Sequence, residues 1–210
     1  MAEKLTRKRL IQAALTIVDR DGLDALSMRK LGAELGVDPM AAYRHLPNKD
    51  ALLDGVIEAV VASADLSVDE TAPWQAQLRQ LIRANLDATL AHPNVLPLVA
   101  QRPLTTPGSL GLVERAFAIM SGAGVPLKDA ALAINVMGLV SASLAVAMSA
   151  SAADPRGSEE LQALFAGLPR ESFPHIVRAI ETGQFIEGYD EILEFWTGAL
   201  IDRLEESIPR

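Results

Sequence analysis

Arg29, Arg44, His45 and Lys49, with Ser27 and Tyr43 among them, fall between positions 27 and 49. Guanidinium and ammonium groups hold phosphates, and an arginine fork matches the major-groove edge of guanine. The chemistry these residues point to is nucleic-acid contact rather than bond making. It requires a scaffold that turns them all to one side, and the intervening residues supply one. Leu31 and Leu35 repeat at helical spacing, Gly36 suits the left-handed end of a helix, and Asp38-Pro39 offers an N-cap followed by a first-turn proline. Residues 27–46 therefore read as a helix-turn-helix, with Val37, Ala42, Tyr43 and Leu46 spaced to turn inward against Leu31 and Leu35.

The expected DNA contacts are Ser27, Met28, Arg29, Pro39, Met40, Ala41, Tyr43, Arg44, His45 and Lys49. The second helix of the motif opens on Pro39, Met40, Ala41 and Ala42, which lack long polar side chains. Direct readout thus falls to Arg44 and Arg29, with Met40 or Ala41 against thymine methyls. Lys49 and Tyr43 are expected mainly on phosphates.

The distribution of charge agrees. The chain has 210 residues, no cysteine and a formal charge of −8. Residues 1–49 nevertheless carry nine Lys/Arg against six Asp/Glu, and the remainder carries −11. A basic head on an acidic body can meet phosphates with one face and avoid them with the rest. Without cysteine there is no disulfide framework, and no apolar run follows the basic start, so a cytoplasmic location is expected.

With 50% hydrophobic and 4% aromatic residues, the pattern reads as all-α throughout. Thr6 can cap a first helix whose stripe of Leu10, Ala14, Ile17 and Val18 faces the motif and which Asp21-Gly22 ends, giving a three-helix head. Asn48 caps a fourth helix, and Ser63 to Pro73 reads as a junction. The expected organisation is a DNA-binding head over 1–48, a connecting helix over 49–66 and a helical ligand-binding and dimerisation domain over 67–210.

Three features organise that body. Trp74 to His92 carries Leu78, Leu81, Ile82, Leu86 and Leu90 at helical spacing, with shorter helices expected at Val95 to Gln101 and Ser109 to Ser121. Ala130 to Ala153 contains no charge and is long enough to span a bilayer, but Asn135, its many serines and alanines and the lack of an aromatic belt favour a buried helix. Tyr189 to Ser207 is also more hydrophobic than one core-facing stripe needs. The two together suggest a four-helix bundle between two copies, with Gly138, Ala142, Ala145 and Ser149 as the close-approach stripe.

The segments Gly22 to Leu31, Leu35-Gly36-Val37, Tyr43-Arg44-His45-Leu46 and Asn48 to Asp54 resemble the head of the TetR-type one-component transcriptional regulators. Trp74-Gln75, Ala91-His92, Gln101-Arg102-Pro103 and Gly124 to Ala130 are similar to the tetracycline-repressor branch. The resemblance implies an all-helical homodimer that occupies a palindromic double-stranded operator and releases it when a small molecule enters the body. It also implies signalling from the end of the sixth helix, Val95 to Pro103, to the fourth, Lys49 to Ala64.

One departure bears on the effector. Where the tetracycline repressor has a magnesium-binding histidine in its sixth helix, this chain has Leu98 or Val99, and His92 and His175 are isolated. Neither a metal site nor another cofactor is expected. A mainly hydrophobic effector is expected, among Leu81, Leu98, Phe117, Met120, Met137 and Phe165 as walls and Asn85, Gln101, Arg102 and Asn135 as polar contacts. No nucleophile–base pair or phosphate loop suggests an enzyme. The rival reading is an architectural or ligand-independent DNA binder.

Overall fold

The structure, a computed structural model, describes residues 4–102, 105–153, 163–165, 167–183 and 188–209. It is 76% helical and contains no strand among those residues. The head comprises α1 (Arg7–Asp21), α2 (Met28–Leu35) and α3 (Pro39–Tyr43), followed by α4 (Lys49–Ser63). The body contains α5 (Trp74–Leu90), α6 (Leu96–Gln101), α7 (Pro107–Gly122), α8 (Leu127–Ala153), α9 (Pro174–Glu181) and α10 (Tyr189–Ser207). Pro103 and Leu104, of which Pro103 ends the segment expected to signal to the fourth helix, lie outside the described residues.

The helix starts are set by side-chain caps that replace missing intrahelical acceptors. Thr6 Oγ1 accepts from Arg9 N at 3.2 Å, Ser27 Oγ from Lys30 N at 3.1 Å, Asp38 Oδ1 from Met40 N at 2.7 Å and Asn48 Oδ1 from Ala51 N at 2.8 Å. Gly36 ends α2 at φ 65°, a left-handed conformation, and Val37 N then donates back to Gly32 O at 2.9 Å. A Cβ on Gly32 would lie 2.8 Å from Val37 O, so the tight turn also depends on the missing side chain there. Helix α7 begins at Pro107, earlier than its hydrophobic spacing suggests, because Thr106 and Ser109 form a reciprocal capping box.

Two apolar clusters divide the buried residues. Leu10, Ala14, Ile17 and Val18 of α1 meet Leu31, Ala42 and Leu46 of the motif and Leu52, Val56, Ile57 and Val60 of α4. Val95 and Leu98, from the segment before and within α6, complete this cluster, so head and body share it across α4. The second cluster joins Leu78, Leu81, Ile82 and Leu86 to Met120, Ala145, Leu193, Ile201 and Leu204. Tyr43, expected inward, is exposed instead, because α3 is one short helix whose inward positions are taken by Ala42 and then Leu46.

Helix α8 corrects a second expectation. It is long and apolar enough to cross a membrane by length and composition, yet only 22% of its most apolar window is buried within the chain. Leu132, Val136, Leu139 and Val146 are exposed along it, and Phe195 of α10 is 81% exposed. The small-residue stripe is divided: Ala145 is fully buried in the chain's own core, Ala142 is half-buried beside an open cavity, and Gly138, at the same cavity, is exposed. Helical periodicity fixed which residues share a stripe, but only packing against α5 and α7 decided which stripe faces inward.

Candidate functional site

The head presents one polar surface around α3. Arg29, Met40, Tyr43, Arg44, His45 and Lys49 are exposed, and Pro39 and Ala41 are partly so. Met40 is 69% exposed, a position with no core reason for a long apolar side chain. Met28 does not belong to this surface: it is 8% exposed and packs in the head cluster, because it is the first inward position of α2. Ser27 is exposed, but its hydroxyl oxygen already caps α2.

Ion pairing sorts the head's cations. Arg7 donates to Glu58 at 3.0 Å, Arg20 to Asp21 and Glu34 at 3.0 and 2.9 Å, and Lys30 Nζ lies 2.8 Å from Asp21. These hydrogen bonds, Arg20's foremost, hold the Asp21 carboxyl down at about 2, and Arg20 likewise lowers Glu34. The same carboxylates raise Arg20 above its ordinary value. Arg29, Arg44 and Lys49 have no ion pair among the described residues. Among the described residues Lys4 and Lys8, near the start of α1, are exposed and without an ion pair as well, so the head's uncommitted cations lie around α3 and at that start.

The body contains a cavity of about 740 Å³. Val61 of α4 reaches it, together with Leu81, Ile82, Asn85 and Thr89 of α5, Val99 to Arg102 at the end of α6, Leu112, Val113 and Ala116 of α7, and one face of α8 that includes Ile134, Asn135, Met137, Ser141 and Ala142. Of the residues expected around an effector, Leu81, Asn85, Gln101, Arg102, Asn135 and Met137 come together on its wall. Leu98, Phe117, Met120 and Phe165 do not line it. Leu98 turns to the head cluster, and Met120 is fully buried in the body core with Phe117 against it. Thr89, Ser141 and Ser143 were not anticipated: short hydroxyl residues within apolar helices carry no sequence signal separating cavity wall from helix filler.

Arg102 connects the cavity to the head. Its Nη1 donates to Asp54 Oδ1 at 2.6 Å and to the Asp50 carbonyl at 3.2 Å, and its Nη2 donates to Asp50 Oδ1 at 2.5 Å. A guanidinium clasping two successive acidic turns fixes the α6 end against α4 in position and angle. Other links flank it. Glu58 of α4 bonds Arg7 and packs on Gly108 in the first turn of α7, while His92 Nδ1 lies 2.9 Å from Asp19 Oδ2 of α1 and Asn94 Nδ2 donates to the Asp19 carbonyl. His92, isolated in the sequence, is thus a head–body contact. Among the described residues no three His, Cys, Asp or Glu side chains are grouped as metal ligands.

Comparison with known proteins agrees with this geometry. Residues 10–56 match the family model for bacterial regulatory proteins of the tetR family, and residues 68–208 match that for the tetracyclin repressor-like C-terminal domain. The HTH-type transcriptional repressor DrrR1 of Streptomyces coeruleorubidus is 33% identical over 122 residues, 58% of this chain and 45% of that protein. An HTH-type transcriptional regulator of Saccharopolyspora erythraea is 33% identical over 143 residues, 66% of this chain and 61% of that protein. The chain thus spans between about half and three fifths of the length of these two relatives. Apo ActR from Streptomyces coelicolor superposes with a TM-score of 0.88 at 26% identity, covering 99% of this chain and 98% of that one. ActR in complex with actinorhodin superposes at 0.86, also at 26% identity, covering 99% and 100%. With the two family models together spanning most of its length, the chain belongs to the TetR family of DNA-binding transcriptional regulators.

Proposed function

We propose that this protein is a ligand-responsive transcriptional repressor that binds a palindromic operator as a homodimer in the cytoplasm and is released by a small, mainly hydrophobic effector. The observation that carries this reading is the apolar cavity whose wall includes Arg102, the residue that clasps α4. An effector that prefers a different placement of the α6 end shifts α4 and the recognition helix attached to it, and it thereby lowers operator affinity. ActR has been crystallised with actinorhodin and with (S)-DNPA, which supports an organic effector in the equivalent body.

In this reading 1–48 is the DNA-binding unit, 49–66 the connecting helix and 67–210 the effector and dimerisation unit. A second copy would cover Leu132, Val136, Leu139 and Phe195, whose exposure is otherwise unfavourable for a folded chain in water. The test is selection of bound sequences from random DNA. A palindromic consensus bound by two chains is expected. An unspecific sequence pool, or one chain per site, would reject the repressor reading in favour of an architectural binder.

A further inference from the structure

The proposed effector cavity has an unusual charge pattern. Among the described residues its wall contains amides, hydroxyls and apolar side chains, no Asp, Glu, Lys or His, and one cation, Arg102. The Arg102 side chain is 25% exposed. Of its five N–H donors, both on Nη1 and one on Nη2 are used, by Asp54 Oδ1, the Asp50 carbonyl and Asp50 Oδ1. The Nε–H and the second Nη2–H have no partner among the described residues. An Nε–H together with an Nη2–H forms the side edge of a guanidinium, a fork that suits a carboxylate bidentately.

Resting on the effector-site reading above, we propose that the effector is an acid: a mainly apolar molecule with one carboxylate-like anionic group that Arg102 takes up in competition with Asp50 and Asp54. No described wall residue bears a negative charge, so the carboxylates that such a group meets are Asp50 and Asp54 on the guanidinium itself, which it must displace. A second anion at the guanidinium draws it from α4, leaving Asp50 and Asp54 in the first turns of that helix less firmly held. Effector charge and operator release are then coupled through one side chain. A neutral molecule of the same shape fills the apolar space but lacks this lever.

Anthracene-2-carboxylate and anthracene-2-carboxamide are a matched anionic and neutral pair for the experiment. Their fluorescence reports binding to the full-length protein, and a labelled operator duplex obtained by selection reports release by anisotropy. In the wild type the carboxylate is expected to bind roughly tenfold more tightly than the amide, the order of difference for a charge-assisted against a neutral hydrogen-bonded pair. Asp54→Asn removes a competitor, so it tightens the carboxylate several-fold and leaves the amide unchanged. Arg102→Gln abolishes the difference between the two probes.

Equal affinities in the wild type, or an Asp54→Asn effect identical for both probes, would overturn the acid proposal while leaving the effector cavity intact. Saturable binding that is lost in Ala142→Trp, which fills the cavity, is the control for location. Binding of neither probe, or binding unaffected by Ala142→Trp, rejects the acid proposal together with the cavity as an effector site. A folded wild type that binds the carboxylate preferentially but keeps its grip on the operator rejects the coupling through Arg102.

Discussion

Arg102 at the end of α6 and Asp54 on α4 are joined by a 2.6 Å hydrogen-bonded ion pair, although 48 residues separate them in sequence. One partner borders the body cavity and the other lies on the helix that leads into the DNA-binding head. The pair is a quarter to a third exposed, so its worth lies in fixing geometry more than in net stability.

Breaking that pair is expected to change response more than folding. Arg102→Ala and Asp54→Ala should each lower stability by about 1 kcal/mol or less, as for a partly exposed ion pair. Both should uncouple release from binding, so that the effector concentration needed for operator release rises relative to the dissociation constant measured by calorimetry, while for an acidic effector Arg102→Ala weakens binding itself and Asp54→Ala tightens it. Release at the wild-type concentration with unchanged effector affinity would make Arg102 a purely structural arginine. A double-mutant cycle on the release midpoint should show the two losses to be non-additive.

The exposed residues around α3 divide by the kind of DNA contact. Arg44→Ala should cost roughly 1–3 kcal/mol on the operator and relax preference at one base position per half-site. Lys49→Ala should weaken operator and random DNA alike and reduce the salt slope by about one unit. Anisotropy titrations at several salt concentrations separate the two. An equal loss for Arg44→Ala on both DNAs would assign it to phosphate instead.

For assembly, the informative substitutions lie on the exposed apolar stripe and not on the small residues. Leu139→Glu and Phe195→Glu place a charge where the chain alone is 71% and 81% exposed. Folding should persist, and sedimentation should show monomers. Ala145→Glu puts an unpaired charge at a fully buried position, so its expected effect is a lowered melting temperature whatever the oligomeric state. A dimer that survives both stripe substitutions would move the interface elsewhere.

Acid should loosen the clasp between α1 and α2. Asp21 falls from its ordinary 3.8 to about 2 because Arg20, and then Lys30, hydrogen-bond to its charged form, and Glu34 is lowered by Arg20. A folded-state value below the unfolded one means the contribution is complete above the unfolded value and is lost as pH falls through the folded one. Stability should therefore decline from about pH 4 towards pH 2. Asp21→Asn should show a shallower decline in melting temperature over that window, with the wild-type advantage shrinking as salt is added. Parallel curves would remove Asp21 from the account.

Local information sufficed for the head and for the helical character of the whole. Thr6, Asp38 and Asn48 cap from the side chain to a backbone two or three residues away, Gly36 takes a conformation costly for other residues, and the α1 stripe needs only the helical period. Such signals lie within a few residues and are legible in one dimension. The tertiary structure decided what each stripe faces. Met28 and Leu98 went to the head core, Tyr43 to the surface, and Met120 and Ala145 to the body core, since apolar spacing is the same for a core, a cavity wall and an interface. The pairings of Arg102 with Asp50 and Asp54, of Arg20 with Glu34 and of His92 with Asp19 were likewise beyond the sequence. Long charged side chains can reach many partners, and only the packing of α6 and α1 against their neighbours fixes which carboxylate each one meets.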